Sequence, residues 1–313
     1  MQQKIYVPPI KSQGIKTKLV EWIKDSISNI KYDRWIEPFM GTGVVAFNIQ
    51  PKNVILCDNN VHLINFYNAV KSKKITAEKV HSFLTNEGEK LLQSEGKYYY
   101  EVRDRFNNLG NPLDFLFINR SCFNGMVRFN GKGRFNVPFC RKPNRFLPAL
   151  VTKISNQVRN ISQIIGYGNY SFICQDFSET IKNAKASDII YCDPPYIGRN
   201  ADYFDSWSEN SELLLNKLLT EKRKVFLLST WLKNDYRENP YISSLWKNCF
   251  ISTKQHFYHV GAKEENRNSV YEALLANFPL NTEVKIKSKL VEHLDLFHQN
   301  RSSFANSAMV SAL

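Results

Sequence analysis

Short apolar runs that end abruptly at an acidic or turn-forming residue alternate with stretches of helical spacing near the amino terminus. Leu19, Val20, Ile23 and Ile27 recur at helical intervals and predict a helix over Thr17 to Ile30, with Thr17 or Lys18 near its start. Trp35-Ile36-Glu37-Pro38-Phe39 reads as a short strand stopped by proline. Gly41-Thr42-Gly43 reads as a tight turn, and Val44 to Ile49 begins a helix. Val54 to Cys57 is a second buried strand ending at Asp58, followed by a helix over His62 to Val70 that carries Leu63, Ile64, Phe66 and Tyr67. Strand, turn, helix and strand in this order open a doubly wound parallel sheet.

The pattern changes after residue 70. Residues 71 to 110 read as helical and charged, and residues 114 to 140 mix apolar helix signals with the turn formers Asn124-Gly125 and Gly131-Lys132-Gly133 at hairpin spacing. Strand signals return at Tyr170 to Cys174, Asp188 to Tyr191 and Val225 to Ser229, with a helix over Ser211 to Leu219 between the last two. Strands over Phe257 to Val260 and Val270 to Asn277 are expected to close the sheet. The chain therefore divides into a discontinuous α/β core, residues 1–70 and 168–279, an inserted helical and hairpin unit, residues 71–167, and a polar tail, residues 280–313, whose composition suits a helix or disorder.

Charge sharpens this picture. The formal net charge is +13, which suggests a polyanionic partner. Between Lys97 and Ile165 there are twelve Lys and Arg against three Asp and Glu, so much of the excess falls in or near the insert. A basic unit placed between two halves of a core favours a nucleic-acid footprint over a merely solvated face. No apolar run approaches the roughly 18 residues of a membrane-spanning helix. Residues Met1 to Ile10 hold two prolines and no apolar centre, so no signal peptide is expected and the cytoplasm is the expected location. The six cysteines show no CxxC spacing and read as reduced, small buried hydrophobes; the histidines lack ligand spacing, and no metal site is expected.

The chemistry concentrates in Tyr191-Cys192-Asp193-Pro194-Pro195-Tyr196, directly after the apolar pair Ile189-Ile190. Two prolines force the chain out of the sheet and leave a carboxylate and an aromatic ring at the carboxyl end of a strand, where open α/β sheets hold ligands. Such a set suits a planar ring bearing an amino group: Asp193 accepts one N–H, the Pro194 carbonyl accepts the other, and Tyr196 stacks on the ring. The turn Glu37 to Gly43 supplies glycines for close backbone approach, and Asp58, fifteen residues beyond Gly43, can accept bonds from ribose hydroxyls. Ala46 occupies the third position of the dinucleotide glycine pattern, which departs from a nicotinamide site and suits a nucleoside without a pyrophosphate, such as S-adenosylmethionine.

Phe39-Met40-Gly41-Thr42-Gly43 and Asp193-Pro194-Pro195-Tyr196 resemble the cofactor and catalytic motifs of amino-directed DNA methyltransferases. Their order, with a basic insert between them, resembles the α group with its Dam-type adenine-N6 enzymes. Lys11-Ser12-Gln13-Gly14-Ile15-Lys16 is similar to the amino-terminal Dam element, with Ser12 where the family has Trp. Asn119-Arg120, Phe123 to Arg128 and Phe135 to Phe139 are similar to the family's DNA-reading hairpin, and Ile197-Gly198-Arg199 with Tyr203-Phe204 resemble the EcoRV-type branch.

The resemblance implies a Rossmann-like S-adenosylmethionine-dependent core with Asp193, Pro194, Pro195 and Tyr196 at the catalytic centre. It implies cofactor contacts from Ser12, Lys16, Glu37, Phe39, Gly41, Gly43, Asp58, Asn59, Asp176, Phe177 and Asp193. It further implies DNA contacts from Lys11, Phe123, Asn124, Met126, Arg128 and Pro138, with Arg128 the candidate for reading a guanine. The expected substrate is an adenine flipped from a short duplex palindrome of GATC or GATATC type, modified by a monomer, with a cognate restriction endonuclease as a genetic partner. Methylation of cytosine N4 or of RNA adenine, and non-catalytic DNA binding on the same fold, are the alternatives. For Phe123 and Met126 simple core packing competes with a DNA role.

Overall fold

The computed structural model describes residues 4–197, 207–221, 224–234, 236–257 and 269–281. A seven-stranded sheet forms its centre, in the order β3-β2-β1-β4-β5-β7-β6. Strands β1 (Arg34–Glu37), β2 (Asn53–Asp58), β3 (Asn169–Cys174), β4 (Asp188–Cys192) and β5 (Val225–Asn234) pair in parallel. β7 (Ser269–Ala276) runs antiparallel between β5 and β6 (Phe250–Phe257). The chain winds outward through β1, β2 and β3, then restarts at β4 on the other side of β1, so the order reverses between β1 and β4. A crevice at the carboxyl ends of strands is expected at such a reversal.

The sequence explains why β1 and β4 are central. Trp35, Ile36, Ile189, Ile190 and Tyr191 are all buried, as a strand covered on both faces requires. Trp35 stacks on Tyr191 with ring centroids 5.6 Å apart. At the opposite, amino-terminal end, Asp188 takes two bonds from the Arg34 guanidinium, at 2.8 and 2.6 Å, which fixes the register of the two strands.

Helices α1 (Val20–Ser26), α2 (Val44–Ile49) and α3 (Val61–Lys71) belong to the first half. The helix expected over Thr17 to Ile30 is shorter, because turns flank it: Leu19 N–H bonds to the Lys16 carbonyl and Ile30 N–H to the Ile27 carbonyl. α4 (Ala77–Gln93), α5 (Tyr98–Leu109), α6 (Pro112–Ser121) and α7 (Pro148–Tyr167) follow. Arg105 joins three of them, with two bonds to Asp114 and one to Glu87. α8 (Phe177–Lys182) and α9 (Glu209–Glu221) flank β4, and α10 (Pro240–Ser244) follows β5.

The strand expected over Phe257 to Val260 is displaced. β6 occupies Phe250–Phe257, and residues 258–260 lie outside the described ones. Its apolar period is hidden because the buried position at Ser252 is polar, its hydroxyl accepting the Trp22 Nε1–H at 3.1 Å. Gly198, Arg199, Tyr203, Phe204 and residues 282–313 of the tail also lie outside the described residues. Among those described, no helix is long and apolar enough to cross a membrane.

One continuous apolar cluster runs from the sheet into the intervening helices. Trp35, Phe47 and Tyr170 share it with Phe115, Phe135 and Ile154. His62 on α3 stacks on Phe129, ring centroids 5.1 Å apart and planes inclined by 11°. The segment from 71 to 167 is thus packed onto the sheet-bearing halves.

Candidate active site

The carboxyl ends of β1 to β4 each deliver an acidic side chain to the same edge of the sheet. Glu37 closes β1, Asp58 closes β2, Asp176 follows β3 and Asp193 follows β4. Each lives in a different environment.

Glu37 is buried and accepts the Trp35 Nε1–H at 2.8 Å. Burial pushes its carboxyl up to about 8, with the Trp35 bond opposing the shift. Glu37 thus holds its proton to higher pH than an ordinary carboxyl, and the Ala46 amide on α2 also bonds to it. Asp58 accepts Gly41 N–H at 3.0 Å on one oxygen and Asn60 N–H at 2.9 Å on the other. Burial raises it to about 6, against the pull of those two amides. Asn59 is exposed, whereas Asn60 caps α3 by accepting from the His62 and Leu63 amides. Asp176 is exposed and caps α8 through Ser178 N–H at 2.8 Å.

The turn between β1 and α2 needs its glycines. Gly41 and Gly43 adopt positive φ, +48° and +72°. A Cβ on Gly43 would come within 2.6 Å of the Phe47 ring, but one on Gly41 would meet no protein atom within 4 Å. Space therefore lies open beside the Gly41 backbone. Phe39 and Phe177 stack at 5.2 Å, and Trp207 packs against both at 5.4 Å. Trp207 donates to Glu212, which holds its indole.

Asp193 pairs with Lys16: Nζ to Oδ1 is 2.9 Å, although Lys16 is only 5% exposed and Asp193 21%. Burial raises the Asp193 carboxyl above its ordinary value; Lys16 opposes the shift and Glu272 adds to it. The Lys16 ammonium also lies 5.0 Å from the centre of the Tyr196 ring. Tyr196 donates its hydroxyl to Glu272 at 2.8 Å. Pro194 is buried, and Pro195 and Tyr196 are half-buried.

The hairpin follows α6. Cys122 bridges to Phe139 and Phe129 to Phe135, and the turn closes with Asn130 N–H on the Arg134 carbonyl. Phe123 is 51% exposed at a short 3₁₀ turn, Phe123–Gly125. Asn124 and Pro138 are exposed, whereas Met126 is half-buried and packs on the core. Core packing thus describes Met126 and not Phe123. Arg128 donates Nε to Asn136 Oδ1 at 2.9 Å.

The amino-terminal segment fastens to the end of α6 and to the turn that leads into the hairpin. Lys11 N–H donates to Asn119 Oδ1 at 2.8 Å, and Asn119 Nδ2 returns a bond to the Lys11 carbonyl at 3.0 Å. Arg120 donates to the Pro9 carbonyl at 3.0 Å. The Lys11 stem lies so close over Gly125 that a Cβ there would be 2.7 Å from it. Burial, with Arg120 and Arg145 nearby, lowers the Lys11 ammonium to about 8. Ser12 is half-exposed and donates to the Gln13 carbonyl.

The chain matches the model of the D12 class N6 adenine-specific DNA methyltransferases over residues 12–266. It belongs to that family. It is 30% identical over 298 residues to the type II methyltransferase M.MjaIII of Methanocaldococcus jannaschii, covering 87% of this chain and 99% of that one. It is 34% identical over 208 residues to a DNA adenine methylase of Serratia marcescens, covering 64% of this chain and 72% of the other. An rRNA methyltransferase structure from Streptomyces viridochromogenes overlays with a TM-score of 0.36 at 11% identity, covering 87% of this chain and 88% of that one, too remote to bear on the assignment. The family settles the choice left open by the sequence motifs in favour of adenine in DNA.

In this methyltransferase the residues singled out in sequence separate into two groups in space. Lys16 meets both Asp193 and Tyr196, and the Phe39–Phe177 stack and the Gly41–Asp58 bond lie at the same sheet edge. Lys11 lies with the hairpin instead. Trp207 and Glu272 were not foreseen. The first has no motif around it, and the second is one acid within an apolar strand.

Proposed function

We propose that the protein transfers a methyl group from S-adenosylmethionine to the N6 amino group of an adenine extruded from a short palindrome, GATC or GATATC in type, in duplex DNA. The observation that carries this reading is the contact set Lys16–Asp193–Tyr196 at the carboxyl end of β4, beside the open space at Gly41.

The residues present suit the cofactor. Gly41 leaves room for a ligand against the backbone, and Asp58 retains lone pairs for ribose hydroxyls after taking two amides. Phe39, Phe177 and Trp207 offer aromatic faces for the adenine end, with Asp176 beside them. Lys16, Gly43, Asn59 and Asp193 complete the surround, Ser12 leaves its wall to a small side chain, and Glu37 supports the turn from below. S-adenosylmethionine supplies an electrophilic methyl group on sulfur.

The N6 lone pair of adenine is delocalised into the ring, so the amino group is a weak nucleophile. Asp193 and the Pro194 carbonyl each accept one of its N–H bonds. This favours a pyramidal nitrogen whose lone pair would attack the methyl carbon as its bond to sulfur breaks, the thioether leaving with that electron pair and the surplus N6 proton passing to Asp193. Tyr196 stacks on the extruded base, and Pro195 shapes the turn that presents it. Positioning and electrostatics supply the rate, with no covalent intermediate on the protein. Ionised Asp193 is the active form, and Lys16 favours that form.

The helices and hairpin of residues 71–167 serve target recognition in this reading. Phe123, Asn124 and Pro138 meet the bases or the stack while Met126 packs on the core, Arg128 reads one base edge, and Lys11 meets DNA from the amino-terminal segment. A monomer acting on one strand at a time suits the palindrome. Pairing with a restriction endonuclease in a bacterial or phage-infected cytoplasm follows the type II relatives.

Plasmid DNA incubated with the protein and S-adenosylmethionine, then mapped for modified adenine, tests this. N6-methyladenine confined to one short motif and absent with Asp193→Ala is expected. Turnover retained by Asp193→Ala would remove Asp193 from the mechanism.

A further inference from the structure

Glu272 lies in the middle of β7, opposite Trp231 on β5 and Lys254 on β6. Its neighbours Ala273, Leu274 and Leu275 are fully buried, and Glu272 itself is 1% exposed. A carboxylate in such surroundings costs stability unless a partner compensates. One such partner is the Tyr196 hydroxyl, which donates to Oε2 at 2.8 Å. The two residues are far apart in sequence, and β7 is the strand that reverses direction in the sheet. Nothing in the Asp193-Pro194-Pro195-Tyr196 motif points to this contact.

We propose that Glu272 is a positioning residue that fixes the Tyr196 ring for stacking against the target base. This rests on the reading of Tyr196 as the stacking residue.

The geometry gives the reason. A tyrosine ring on a proline-fixed turn still rotates about its Cα–Cβ and Cβ–Cγ bonds. A bond from its far end to a strand in the sheet stops the swing about Cα–Cβ; the hydroxyl oxygen lies on the Cβ–Cγ axis, so the tilt of the ring is left to the groups packed on its faces. Lys16 Nζ lies over the same ring at 5.0 Å and pairs with Asp193 at 2.9 Å. The ring is thus held at its turn, over one face and at its hydroxyl. An incoming base stacks on the face away from Lys16, with the ring's place set by the bond to Glu272 and its tilt by Lys16. That place also sets where the N6 group falls relative to Asp193, because Lys16 touches both. A ring free to swing would accept the base in several positions, of which few place N6 at the carboxylate.

The test compares Tyr196→Phe, Glu272→Gln and Glu272→Ala in the full chain. Tyr196→Phe keeps the ring and loses the tether, so it reports on the bond even where Glu272→Ala disturbs folding. Glu272→Gln keeps an acceptor oxygen for the hydroxyl. Duplexes carrying 2-aminopurine at the target position report base extrusion and stacking by fluorescence. Tyr196→Phe and Glu272→Ala are expected to lower kcat about tenfold, the worth of one hydrogen bond to a charged group. The KM for cofactor should hold, and 2-aminopurine emission should rise because the extruded base is less well stacked. Glu272→Gln should recover most of the rate and the quenched emission.

Wild-type kcat and emission in Tyr196→Phe would overturn the proposal. So would a Glu272→Gln variant as slow as Glu272→Ala while folded, since a bare acceptor would then not suffice. Absence of adenine methylation by the unsubstituted protein would instead sink the underlying functional reading.

Discussion

Lys16 is tied to Asp193 across 2.9 Å, although one residue lies in the amino-terminal segment and the other directly follows β4. The pair opposes the burial that raises the Asp193 carboxyl. An acidic group with a raised value binds its proton to higher pH, and the proton-bearing form accepts hydrogen bonds less well. Methyl transfer is therefore expected to rise with pH as Asp193 ionises. In Lys16→Met, assayed with saturating cofactor, the acidic limb of kcat should move to higher pH. An unmoved limb would show that Asp193 titration does not govern the rate.

Glu37 makes a prediction about stability. Burial raises it from 4.5 to about 8 in the folded chain. The folded state thus retains a proton that the unfolded chain releases. The stability linked to this proton is fully present below pH 4.5 and is lost as pH rises through about 8. Between those limits the unsubstituted protein should lose stability relative to Glu37→Gln, by on the order of 5 kcal/mol in total. Denaturant midpoints across that range check it, and parallel curves for the two proteins would refute it.

Trp207 offers a direct view of cofactor binding. The other tryptophans, Trp22, Trp35, Trp231 and Trp246, are buried, whereas Trp207 is half-exposed against Phe39 and Phe177. Addition of S-adenosylmethionine should change the emission of the protein, and Trp207→Phe should lose that signal while still binding cofactor by calorimetry. Trp207→Ala should weaken binding by about 1 kcal/mol. A signal that survives Trp207→Phe would place the adenine end elsewhere.

Arg128 should carry discrimination at one base pair. Arg128→Ala is expected to relax specificity there by about 1–3 kcal/mol. Asn136→Ala should act in the same direction but less, because Asn136 orients the guanidinium through its Nε bond and leaves the terminal nitrogens in place. Affinities for the cognate duplex and its single-base variants decide the matter. A uniform loss across all of them would make Arg128 a phosphate contact.

Much of the fold could be read from local patterns. Buried strands that stop at Pro38, Asp58 or Pro194 announce themselves, because a parallel strand is apolar on both faces and its end is marked by a residue that leaves the sheet. The hairpin turn at Gly131-Lys132-Gly133 was equally plain. α7 carried a clear helical period in Val151, Ile154, Val158, Ile161 and Ile165, yet the basic charge around it drew the reading toward DNA and away from packing. β6 was misplaced because Ser252 interrupts its apolar face.

The site was legible where chemistry is concentrated in short motifs. Glu272 and Trp207 were hidden because their meaning depends on partners far away in sequence. The sequence makes Asp58 a candidate ribose acceptor; that it takes the Gly41 and Asn60 amides is seen only in three dimensions.

The continuous core beneath the hairpin bears on how sequence preference in this family can be re-engineered. Pro9 and Lys11 grip the hairpin from one side, through Arg120, Asn119 and Gly125, and His62 underlies Phe129 from another. A graft limited to residues 71–167 would cut through all of these contacts. It would arrive with Phe123, Asn124 and Arg128, the residues proposed to meet DNA, intact and its footing missing. The transplantable unit is therefore discontinuous: the hairpin, the strap of residues 9–16 and the face of α3 that carries His62 must move together.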